Sequence, residues 1–121
     1  MRRQIIKDLN DNRITNLCSS IFYYKKPEKD RSKTYIRWFF LDTESMLYAG
    51  NKPMAKRFEF QVDIFSNENY ENISKTIEKV LVEKKYNLFY EGDLVEETDK
   101  DNLIYHKVLR FKYLKFINQE D

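Results

Sequence analysis

Across residues 57–64 the chain alternates without a slip. Phe58, Phe60, Val62 and Ile64 fall on one side, and Arg57, Glu59, Gln61 and Asp63 on the other. A period of two is that of a strand with one buried face. The polar break that follows offers Ser66 or Asn67 as a helix N-cap, with Glu68 and Glu71 at the positive end of the helix. Tyr70, Ile73, Ile77, Val80 and Leu81 then recur at helical spacing, and Lys84 and Lys85 suit the negative C-terminal end.

The rest of the pattern is coarser. Ile5, Ile6 and Leu9 predict a short helix over 3–10, ended by Asn10–Asn12. Ile14, Leu17 and Ile21 continue an apolar pattern of no definite type, and 21–24 starts a strand. Residues 25–33 form a charged loop around Pro27, and 34–42 an aromatic strand. Gly50, Asn51 and Pro53 mark 43–54 as a turn or hairpin tip. A further strand covers 86–92, and 93–102 is an acidic loop or strand extension. A long final strand covers 103–118, with Tyr105, Leu109, Phe111 and Tyr113 on one face and Val108, Arg110 and Lys112 on the other. The order is helix, three strands, helix, two strands. The economical solution is an α+β domain over residues 1–121, with a single mixed or antiparallel sheet of about five strands and two helices packed on one face.

Length and composition narrow the class. A chain of 121 residues suits one domain, and 41% hydrophobic residues are enough to fill a modest core. With only 2 Gly and 2 Pro there is little material for a flexible linker. The single cysteine, Cys18, rules out an internal disulfide. No apolar run of signal-peptide or membrane-spanning length occurs, so the expectation is a soluble cytoplasmic protein with no membrane contact. The net charge of +2 hides a division. Residues 1–57 carry 13 Lys and Arg against 6 Asp and Glu, or +7; residues 58–121 carry 9 against 14, or −5. Opposite halves suit nucleic-acid binding or contact between copies of the chain, and the small total favours the second.

Candidate chemistry is sparse. His106 is the only histidine, so a triad or a histidine-based metal site needs partners from elsewhere, and with one His and one Cys a Cys18–His106 pair is formally possible. The blander reading makes His106 a surface or strand-edge residue and Cys18 a small buried hydrophobe. Glu96, Glu97, Asp99 and Asp101 lack the glycine and the spaced ligands of a calcium loop and read as a solvated acidic segment. Gly50 and Gly92 stand alone, so no phosphate-binding loop is present. The run "YHKVLRFKY" interleaves aromatic and cationic residues as a nucleic-acid-binding sheet does, but the same residues suit a core strand. The expectation is no catalytic, cofactor or metal site, and not an enzyme.

The order of these segments resembles the tail terminator (tail-completion) proteins of long-tailed bacteriophages. The resemblance rests on the short N-terminal helix, "LCSSIFYYKKPEKDRSKTYIRWFF", "FEFQVDIFSNENYENISKTIEKVL" and the closing "YHKVLRFKY". The chain departs from the pattern at Thr34, where the family commonly has proline before "YI". The resemblance implies a structural protein that forms a ring, typically a hexamer, on the last ring of the tail tube. Such a ring stops tube growth and presents a surface to the neck. Its implied partners are other copies of itself, the major tail-tube protein and the head–neck connector, with DNA passing through the lumen unread. The implied location is the tail–neck junction of a virion assembled in the bacterial cytoplasm. A neck or head-closure protein is the neighbouring alternative, and a small nucleic-acid-binding module the more distant one. Candidate interface residues are Arg31, Lys33, Lys52 and Lys56 on the basic side and Glu96, Glu97, Asp99 and Asp101 on the acidic side. Met46, Leu47 and Tyr48 would supply apolar contact.

Overall fold

In the computed structural model the description covers residues 1–97 and 103–116, and for 42–47, 53, 96–97 and 103 the backbone alone. The chain forms α1 (Arg2–Leu9), α2 (Asn12–Thr15), β1 (Ile21–Tyr23), β2 (Tyr35–Ala49), β3 (Lys52–Ser66), α3 (Glu71–Glu83), β4 (Asn87–Glu97) and β5 (Leu103–Phe116). The strands make one sheet in the order β1-β2-β3-β5-β4. The β1–β2 pair is parallel and the other pairs are antiparallel. This is the expected α+β fold with a mixed five-stranded sheet, with three helices where two were expected. The added one is α2, a single turn whose N–H at Arg13 is accepted by the Asp11 side chain at 2.9 Å.

One face of the sheet carries the core. Phe58, Phe60, Val62 and Ile64 are buried, as are Ile73, Ile77, Val80 and Leu81 of α3. The strand period and the helix period therefore meet as the sequence predicts. Ile5, Leu9 and Ile14 join the same cluster, so all three helices lie on this face. Ile6 does not share the face of Ile5 and Leu9 and is exposed, because one helical step turns it about 100° away.

Two boundaries differ from the sequence reading. The segment 43–54 is not an extended tip: β2 runs on to Ala49 and β3 begins at Lys52. The turn is confined to Gly50 and Asn51, with Gly50 at φ +64°, where a glycine has no Cβ to strain. Pro53 is tolerated in β3 because the β2–β3 register shifts beside it, between Leu47–Ala55 and Tyr48–Pro53. Helix α3 starts at Glu71, later than Ser66 or Asn67 would set it. Asn69 Oδ1 accepts from the Glu71 N–H at 2.8 Å, while Ser66 Oγ accepts from the Glu68 N–H at 3.0 Å within the preceding bend.

The C-terminus of α3 is set by backbone geometry. Lys85 has φ +75°, the Tyr86 N–H reaches the Leu81 carbonyl at 3.0 Å and the Lys85 N–H reaches Val82 at 3.1 Å. This is a Schellman termination with a lysine in the left-handed position that usually takes glycine. It turns Tyr86 into the core, where its hydroxyl donates to Asp8 Oδ2 at 2.6 Å and ties α1 to α3. Burial, then the Asp8 contact, push the Tyr86 phenol well above its ordinary range.

Candidate assembly surface

The sheet face turned away from the helices is not the solvated polar face that alternation predicts. Gln61 and Asp63 are buried there, as are Phe65, His106 and Val108. The register explains this: Asp63 lies between Arg37 on β2 and Val108 on β5, Gln61 between Phe39 and Arg110, and Phe65 between Tyr35 and His106. Directly paired residues share a face, so polar and aromatic side chains converge on the central strand.

Asp63 is the hub. Arg37 donates to its Oδ2 from Nε at 3.1 Å and from Nη2 at 2.8 Å. Gln61 Nε2 donates to Oδ1 at 2.8 Å, and His106 Nε2 lies 2.8 Å from the same oxygen. Burial alone would push the carboxyl up, but the His106, Arg37 and Gln61 hydrogen bonds outweigh it and hold it below the ordinary carboxylate range. An ionised carboxylate only accepts, so His106 donates from Nε2. Arg110 Nε donates to Gln61 Oε1 at 2.9 Å, which extends the network across β3.

Aromatic rings pave the surroundings. Phe65 stacks on His106 at 4.1 Å and on Tyr35 at 4.7 Å between centroids. The guanidinium of Arg37 lies 5.0 Å from the Phe65 ring, and that of Arg110 lies 4.8 Å from Tyr90. Lys26 and Lys112 sit over Tyr35 and Phe89. Tyr24, Phe89, Tyr90 and Leu94 are all exposed on or beside this face.

His106 is therefore no surface or edge residue; β5 runs between β3 and β4 and its histidine is buried against Asp63. The Cys18–His106 pair does not form. Cys18 belongs to the cluster on the helix side, with its thiol directed at the Ser20 and Thr34 carbonyls, and burial pushes that thiol up. Among the described residues no group of three or more His, Cys, Asp or Glu is arranged to hold a metal ion. No described helix is long and apolar enough to cross a membrane.

The candidate interface residues fall at two opposite ends of the sheet. The β2–β3 hairpin continues past Ala55–Phe116, the last described β3–β5 pair, and carries exposed Tyr48 and Lys52 with half-buried Lys56. The backbone of Met46 and Leu47 lies on this hairpin, opposite Lys56 and Ala55. At the other end, exposed Arg31 and Lys33 flank Ser32, whose hydroxyl bonds Ser20 at 2.7 Å. The β4–β5 hairpin extends past the last β3 pair, Ser66–Tyr105, through Glu96–Ile104 and Glu97–Leu103. Asp99 and Asp101 lie outside the described residues. Lys52 and Lys56 are thus brought together with Tyr48, while Glu96 and Glu97 lie at the end of Arg31 and Lys33.

The sequence reading missed the Asp63 cluster altogether. The available signal was Asp63 itself, a carboxylate between Val62 and Ile64 in the best-patterned strand, with Arg37 and His106 similarly placed among aromatic and aliphatic neighbours.

No protein-family model matches the chain, and no curated protein matches it by sequence. Its fold is similar to that of a chain in the solved virion of a native gene transfer agent (GTA) particle. The TM-score is 0.53 at 10% identity, over 92% of this chain and 91% of that chain.

Proposed function

We propose that the chain is a structural virion protein of the tail-terminator kind. It forms a ring on the end of a tail tube, stops the tube growing and offers a joining surface to the head. The observation that carries this reading is the fold likeness to a virion chain over nearly the full length of both chains. The resemblance of the sequence to tail terminators points the same way. The ring, with six subunits as in the family, closes through heterologous contacts related by rotation. The two hairpins project from opposite ends of the sheet, so one end meets the major tail-tube protein and the other the head–neck connector. DNA passes through the lumen without base recognition. The protein acts at the tail–neck junction, after assembly in the bacterial cytoplasm, and has no catalytic role.

Electron microscopy of tails made with and without the protein tests this. Overlong, headless tails are expected when it is missing. Tails of normal length in its absence, with the protein retained on the head connector, would replace the terminator reading with a head-closure role.

A further inference from the structure

The helix-free face of the sheet is basic, and one groove on the helix side has an acidic excess. On the helix-free face, Lys26, Arg37, Arg110 and Lys112 stand against Asp63, while Arg57 and Glu59 approach each other at 3.7 Å. No described residue accepts a hydrogen bond from Nη1 or Nη2 of Arg110, and Asp63 takes only Nε and Nη2 of Arg37. On the helix side, a groove of about 240 Å³ lies between α3 and the β4–β5 pair. Its walls carry Glu71, Glu78, Glu91 and Asp93 against Lys75 and Lys107. Lys107 is already engaged, lying 3.3 Å from Asp93 and 3.8 Å from Glu91.

We infer that the helix-free sheet face of one subunit docks on the α3–β4 groove of a second copy of this chain. The inference deepens the ring reading and rests on it: it names the two surfaces that meet between neighbours in the ring. Three observations carry it. The basic face and the acidic groove are complementary in charge and lie on opposite sides of the same sheet, so the contact is heterologous and passes from copy to copy, making a ring where the rotation closes, instead of ending in a two-fold dimer. The basic face also exposes Tyr24 (69%), Leu94 (52%) and Tyr90 (47%), the apolar and aromatic area that association needs beyond charge. Finally, Asp63 and Gln61 take the Nε groups of Arg37 and Arg110 and fix both side chains before any partner arrives.

A set of reciprocal charge reversals in the full-length protein tests the contact, read by sedimentation equilibrium over a concentration series. Arg110→Glu with Lys112→Glu makes the basic face acidic; Glu71→Lys with Glu78→Lys makes the acidic groove basic. Each double reversal should weaken self-association by roughly tenfold or more. Mixing the two reversed proteins should restore it, because each now offers the face that the other lacks. A chain carrying all four changes should also associate. Since Arg110 holds Gln61, Lys26→Glu with Lys112→Glu is the control that leaves the buried cluster intact, and thermal melting confirms folding of every variant. If the wild-type chain forms rings but the reversals leave association unchanged, or the mixture fails to recover, the docked faces are wrong and the ring reading stands. A wild-type chain that stays monomeric at all concentrations and on isolated tube ends overturns both.

Discussion

Among single residues, Asp63 has the clearest consequences. Its carboxyl is fully buried, its hydrogen bonds come from Arg37, Gln61 and His106, and folding lowers its pKa below the ordinary 3.8. The folded state therefore binds that proton less readily than the unfolded chain. The resulting stability is complete above pH 3.8 and is lost as the pH falls through the folded value. Asp63→Asn should remove this part of the acid dependence. At pH 7 it should cost about 3 kcal/mol, because Arg37 then faces a neutral amide in a buried setting. Urea titrations at pH 7 and pH 3 check both points: a wild-type and a variant that lose equal stability on acidification would contradict the assignment. Phe60 gives the apolar counterpart. It is fully buried, stacks on Phe111 at 5.6 Å and meets Trp38 and Tyr86 edge-on. Phe60→Ala should cost about 3–5 kcal/mol, and an unchanged melting temperature would remove Phe60 from the core.

At the scale of elements, the strands and helices were legible wherever one period ran long enough. β3 and α3 each carry their signal within one continuous segment, so sequence alone places Phe58 to Ile64 against Ile73 to Leu81. α2 is a single turn, too short to show a period. The pattern predicts a broad hairpin tip because Gly50, Asn51 and Pro53 are all turn residues, yet the strands run up to the Ala49–Lys52 pair and only Gly50 and Asn51 lie between them. The buried face of Asp63 was not legible because its partners come from β2 and β5, far away along the chain, and register decides which of them meet. The end of α3 was partly legible: lysines suit a helix C-terminus, but only the geometry gives Lys85 its left-handed backbone. Lys85→Gly should therefore stabilise the protein by about 0.5–1 kcal/mol, since glycine meets no Cβ penalty there. A rise of a few degrees in melting temperature is the expected reading, and a fall would mean that the lysine side chain contributes more than its backbone costs.

In the whole molecule, the protein has a compact centre and two hairpin extensions of different kinds. The core lies where β2, β3 and β5 run under the three helices. Beyond Ala55–Phe116 the β2–β3 hairpin continues as two strands, with no third strand beside them among the described residues. A two-stranded ribbon in water adds little stability of its own, so this arm is not explained by folding, whereas it is explained by reach. Tyr48 and Lys52 stand exposed on it and Lys56 at its base. Under the terminator reading this arm contacts the tube end. Lys52→Glu with Lys56→Glu should then leave global stability within about 0.5 kcal/mol of wild type, as for surface changes away from the core. The same variant should bind isolated tail-tube ends more weakly, with a shallower salt dependence, since two cations no longer contribute attraction. Ring formation should persist, because the faces proposed to meet between subunits lie elsewhere on the sheet. Normal tube binding by the variant would turn attention to the opposite end, with Arg31, Lys33, Glu96 and Glu97. Loss of the ring itself would show instead that the arm reaches across to a neighbouring subunit.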